Sequence, residues 1–317
     1  MTEGGPRRGT RPGLRENQEP MTDLPAATFL LLRDAFFQPG PRPRVFRLRD
    51  KRNTQDDPLD EHIQQLLSEK AARDIYTFKA PGPLITPDLV VLRPGLCDGV
   101  ARATLQGDAS RIVGIEVKKL ERQRGGAVAR ASGMDYNTTP PCGTVRIYDR
   151  FARPLDIRGF YLFVCQERLE GHPEEYRLTA LALCDGALLN ADFGLYLSIV
   201  GERTKRTGLG TYGDGADRNR PMLIFANPLG TTLLDSQVTL IHSRPDIARD
   251  FSDLRHVGVI RRSVPDAAPA VFHCYRVAAD LPETHQPFDA EDPFPTPART
   301  DRTQARGRFR TAIAPGE

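Results

Sequence analysis

Lysine is scarce in this 317-residue chain. Among 44 basic residues only six are lysine (Lys51, Lys70, Lys79, Lys118, Lys119 and Lys205), and the rest are arginine. A guanidinium stays protonated in proteins, whereas an ammonium can lose its proton when its surroundings favour the neutral form. A lysine at a chemically meaningful spacing therefore carries weight here, even if arginine richness reflects base composition. Long apolar runs are also missing. None approaches the ~18 residues that a membrane helix needs. The stretch Ala26 to Leu32 stops at Arg33-Asp34 with no small-residue cleavage site after it, so neither a span nor a signal peptide is read.

Several site motifs are absent as well. The five cysteines (Cys97, Cys142, Cys165, Cys184 and Cys274) form no C-x-x-C pair, which excludes zinc-finger spacing and argues for reduced thiols in a cytoplasmic protein. The six histidines form no H-x-H or H-E-x-x-H, and no G-x-S-x-G elbow or P-loop occurs. Gly208-Leu209-Gly210 with Gly213 spells G-x-G-x-x-G, but no strand–turn–helix pattern surrounds it. The formal net charge of +3 permits a nucleic-acid partner without requiring one.

Composition divides the chain in three. Residues 1–24 are rich in Gly, Pro, Arg and Glu and read as a disordered tail, as does the Pro/Arg-rich stretch 281–317. Residues 25–280 read as one mixed α/β domain. Asp56 to Asp74 has helical spacing, with Pro58 suited to the first turn and Ile63, Leu66 and Leu67 on one face. Strand patterns follow at Ile75 to Phe78, Leu84 to Leu92, Val100 to Leu105 and Arg111 to Leu120. Further strands are expected at Phe160 to Val164, Tyr176 to Leu183, Leu195 to Val200 and Met222 to Phe225, with a short helix in Pro245 to Leu254.

Two pieces carry chemistry. Pro87-Asp88 opens an apolar strand, and Glu116-Val117-Lys118 lies on another. Residues two apart on a strand share a face, so Glu116 and Lys118 project together. If the Asp88 strand lies alongside, two carboxylates and one ammonium meet. Asp88 and Glu116 could hold Mg²⁺ through hard oxygen ligands. Lys118 could position or deprotonate water and stabilise charge developing on a phosphate. Asp98 offers a tighter hairpin to the Glu116 strand and is the alternative metal ligand.

The arrangement resembles the PD-(D/E)xK nuclease superfamily, which includes most type II restriction endonucleases. The match covers Pro87-Asp88, a gap of 28 residues, then Glu116-Val117-Lys118, preceded by a helix. The resemblance implies a restriction-endonuclease-like mixed β-sheet core flanked by helices, with additional strand-rich insertions here. It implies a Mg²⁺-dependent enzyme that cleaves duplex DNA as a homodimer, with a cognate methyltransferase as genetic neighbour. It also implies a glutamate from the first helix, Glu61 in preference to Glu69. The helix expected after the E-x-K strand has only Gly125 to Gly133 to occupy, and the glycines there favour a loop.

Two segments are candidates for DNA contact. Arg122 to Asp149 holds Arg122, Arg124, Arg130, Asn137 and Thr138 ahead of Pro140-Pro141, which suggests a rigid loop. Arginine and asparagine pair with guanine and adenine edges. Glu202 to Pro221 is glycine-rich and carries Arg203, Lys205, Arg206, Arg218 and Arg220, which suit phosphates. A structure- or end-specific repair or phage nuclease with the same core, and a non-catalytic DNA-binding protein, are the competing functions.

Overall fold

The computed structural model describes residues 23–53, 56–70, 75–81, 87–94, 108–121, 134–137, 143–189, 223–226, 228–231, 233–234, 237–263 and 268–294. The apolar stretch near the N-terminus is a helix, α1 (Leu24–Phe36). Asp23 caps it by accepting the Ala26 N–H at 2.9 Å, which satisfies one of the N–H groups a helix start leaves open. Leu24, Phe29, Leu32 and Phe36 are its buried stripe. Asp23 and Leu24 thus belong to this helix although composition assigns them to the tail, because the cap and first turn read as polar and proline-bearing.

Short strands β1 (Phe37–Gln38), β2 (Arg42–Pro43) and β3 (Val45–Arg47) follow, then α2 (Pro58–Lys70). Next come β4 (Tyr76–Lys79), β5 (Leu89–Leu92), β6 (Ile112–Glu121), β7 (Met134–Asn137), β8 (Thr144–Tyr148), β9 (Pro154–Arg168), β10 (Glu175–Asp185) and β11 (Leu223–Ala226). The chain then forms β12 (Val238–His242), the single turn α3 (Ile247–Asp250), β13 (Leu254–Arg262), β14 (Ala270–Val277) and β15 (Phe288–Glu291).

One mixed sheet dominates, in the order β15-β13-β14-β12-β10-β9-β6-β5-β4, with β3 also on β10 and β8 also on β9. The pairs β6–β9, β10–β12 and β13–β15 are parallel, and the other neighbours along that order are antiparallel. Alternation along β9 supplies two cores. Phe160, Leu162 and Val164 face α1 and α2, while Tyr161, Phe163 and Cys165 join a second cluster. A third, smaller cluster holds Leu92, Ile112, Val145, Leu155 and Ile157.

The tail expected from Leu281 onward is corrected for residues 281–294. Strand β15 pairs with β13 over Gly258↔Phe288 to Arg261↔Glu291. A Cβ on Gly258 would sit 2.5 Å from the Phe288 ring, so only glycine leaves room for that ring. Phe294 is buried, with the Arg262 guanidinium 4.5 Å from its ring centroid. Prolines hide this strand in the sequence, because it is held by backbone pairing and two aromatic seats rather than by an apolar run.

Candidate active site

The sequence of α2 sets one wall of the site. Asp57 accepts the Leu59 N–H at 3.1 Å beside the helix start, and Leu59, Ile63 and Leu67 are buried. Asp60 lies three residues before Ile63 and seven before Leu67, so it flanks that buried stripe. The other wall is the β5–β6 ladder. Its register, Leu89↔Ile115, places Asp88, one residue earlier, opposite Glu116.

The carboxylates converge as the strand reading requires. Asp88 Oδ2 accepts the Val117 N–H at 2.8 Å. Glu116 is 6% exposed, and its Oε1 accepts from Lys118 Nζ at 2.8 Å. Its Oε2 is buried with no hydrogen-bond partner. Burial first, then the charges of Glu116 and Asp60, push the Asp88 carboxyl up to about 8, while Lys118 and the Val117 N–H pull it down. Burial, Asp57 and Glu116 push Asp60 up to about 7, against Lys79 and Lys119. Lys119 Nζ lies 3.1 Å from Asp57 Oδ2. Three of the six lysines, Lys79, Lys118 and Lys119, thus belong to one cluster with four carboxyls.

The helix acid is corrected. Glu61 instead accepts from Arg49, whose hydrogen bond holds it below its ordinary range, and it meets the cluster only through the charge of Lys79. Glu69 is exposed and accepts from Gln65 at 2.7 Å on the helix's own surface. Asp60, and not Glu61, is the α2 acid whose charge acts on Asp88. Helical phase could have found it, since Glu61 is turned a further ~100° from the Ile63–Leu67 stripe. Asp60→Asn should lower any divalent-metal-dependent cleavage about tenfold or more, while Glu61→Gln leaves it within twofold. Cleavage rates of the two variants side by side check this, and the reverse order would restore Glu61.

Mg²⁺ fits this donor set on one structural ground. A buried carboxylate oxygen without a partner, beside a carboxyl crowded by like charges, is relieved by a cation. Among the described residues no three His, Cys, Asp or Glu side chains are grouped to hold an ion by themselves. Mg²⁺ commonly takes one or two carboxylates and completes its shell with water and phosphate oxygens, which two protein ligands allow.

Asp98, Arg122, Arg124, Arg130, Thr138, Arg203, Lys205, Arg206, Arg218 and Arg220 lie outside the described residues. So do the strands read at Val100 to Leu105 and Leu195 to Val200, and the place left for a second helix at Gly125 to Gly133. Asn137 ends β7, which pairs antiparallel with β11 through Leu223↔Asn137. The first candidate DNA segment is therefore not all loop: β7 and β8 both fall inside it. The β7–β11 ladder also joins that segment to the residues directly after the second one. Among the described helices none is long and apolar enough to cross a membrane. No family model, curated protein or solved structure matches the chain.

Proposed function

We propose that the chain is a Mg²⁺-dependent endodeoxyribonuclease of the PD-(D/E)xK type, a restriction enzyme that cuts duplex DNA in the cytoplasm as a homodimer. The observation that carries this reading is Asp88 opposite Glu116 on neighbouring antiparallel strands, with Lys118 bonded to Glu116. The element order supports it: α2 leads into the β4–β5–β6 meander, and β9 lies parallel to β6. Bound by Asp88 and Glu116, Mg²⁺ would neutralise the scissile phosphate and acidify a water. Lys118, bonded to Glu116, would be placed to hold an attacking water and to meet the charge that grows on the phosphorus oxygens. Asp60 adds a third negative group, and Lys119 with Asp57 ties α2 to β6 so that Asp60 stays near.

Incubation of the purified chain with varied plasmids and Mg²⁺ tests this. Discrete fragments are expected, with loss in EDTA and in Lys118→Ala. Smears or ladders would instead favour a structure- or end-specific nuclease. Binding without cleavage in any divalent metal would leave a non-catalytic DNA-binding protein.

A further inference from the structure

The hairpin between β8 and β9 presents a feature the site does not use. Tyr148↔Pro154 closes the ladder, and residues 149–153 form its tip. Phe151 at that tip is 63% exposed, and Tyr148 beside it is 53% exposed. The ring of Phe151 is flanked by two guanidiniums, Arg150 at 4.8 Å and Arg153 at 5.1 Å from its centroid. Arg150 has no ion pair among the described residues.

The tip is stiff. Asp149 Oδ1 accepts the N–H groups of Phe151 at 2.9 Å and Arg153 at 3.0 Å, and Oδ2 accepts Arg153 Nε at 2.8 Å. Ala152 is held at φ 58°, a left-handed conformation that disfavours a residue with a Cβ. An isolated exposed aromatic needs no explanation by itself. Here a large ring stands in solvent on a turn held through Asp149, with a left-handed residue next to it, and arginines line its sides. Folding gains little from that exposure.

We infer that the β8–β9 tip is a DNA-contacting wedge, with Phe151 stacking on or between bases of the duplex while Arg150 meets a flanking phosphate and Arg153, paired with Asp149, braces the ring. Aromatic faces stack on any base, and apolar side chains of this kind enter base steps. The guanidinium of Arg150, unpaired among the described residues, matches the charge of the backbone. The tip and the carboxylate pair lie along neighbouring strands of one sheet. Tyr161 is the β9 residue in register with Glu116. Seven strand residues separate it from Pro154, roughly 23 Å at the strand rise. The inference rests on reading the chain as acting on DNA.

Binding of a labelled 40-base-pair duplex pool, with Ca²⁺ in place of Mg²⁺ and over a series of salt concentrations, tests it on the full chain. Phe151→Ala should weaken binding about tenfold without changing the slope of log Kd against log salt. Phe151→Trp should retain affinity. Arg150→Ala should reduce the slope by about one. Both positions are exposed, so thermal melts of the three variants should match wild type. Phe151→Ala binding within twofold of wild type, or no binding by wild type, overturns the wedge. Plasmid cleavage separates this from the nuclease reading. Cleavage with an unchanged Phe151→Ala Kd sinks the wedge alone. Phe151-dependent binding with no cleavage in any divalent metal sinks the nuclease alone.

Discussion

Asp88→Asn should abolish cleavage and, in metal-free protein at pH 8, raise thermal stability. The two effects share one cause. Asp88 is raised to about 8 and Asp60 to about 7, both well above the ordinary 3.8. Between about pH 4 and pH 8 the folded state therefore holds protons that the unfolded state has released. Stability falls as pH rises through that window, because deprotonation leaves carboxylates crowded in a half-buried site. Asparagine removes the penalty at Asp88. The gain at pH 8 is about 2 kcal/mol after discounting for partial exposure, roughly 5 °C in Tm. Mg²⁺ should stabilise wild type at pH 8 and have little effect on Asp88→Asn. Melting curves from pH 5 to 8.5, with and without Mg²⁺, measure all of this. Parallel pH profiles for wild type and Asp88→Asn would show that Asp88 is not under this electrostatic load.

Gly114→Ala should cost about 2 kcal/mol of stability and, more sharply, about a hundredfold in cleavage. Gly114 lies on β6, two residues before Glu116. A Cβ there would sit 2.4 Å from Val145 Cγ2 and 2.9 Å from Pro87 Cγ. The first contact pushes on β8 and the second on the residue that delivers Asp88. Overpacking of this kind typically costs 1–3 kcal/mol. Displacing a catalytic group by about 1 Å can cost 10²-fold in rate. Val145→Ala in the same chain opens space on one side only. It should restore much of the stability and less of the activity, because Pro87 is a rigid ring that still has to move. Equal recovery of both would mean that Pro87 does not set the position of Asp88.

The central chemistry was legible because it follows from strand geometry. Glu116 and Lys118 share a face by period two, and the apolar run after Asp88 marks a strand that could lie alongside. The register of the β5–β6 ladder then does the rest. Asp60 is hidden because the resemblance points to a glutamate, whereas helix phase points to the residue before Glu61. The strand read at Phe160 to Val164 extends to Pro154–Arg168 because its polar ends are satisfied outside the apolar core. Asp156 pairs with Arg146 at 2.6 Å, and Arg158 with the buried Asp185 at 2.6 Å. Such pairs join residues far apart in sequence or across a turn, and no local pattern announces them. The seat of Phe288 on Gly258 is hidden for the same reason, since one glycine among 27 gives no sign of what approaches it.

The parallel pairing of β9 with β6 bears on the order in which this molecule can assemble. Asp57 to Lys119 span a short, contiguous stretch, and β4, β5 and β6 pair as antiparallel neighbours within it. Val113 meets Arg158 of β9 only after 45 further residues have been made. As the chain emerges, the acidic cluster can thus gather while still hydrated, when its carboxylates ionise freely and repel through water. Burial raises Asp88 and Asp60 only once these strands and α2 have packed and water has left the site. The electrostatic load of the site is in this sense a late event in folding, imposed by packing and not by the pairing that gathers the carboxyls.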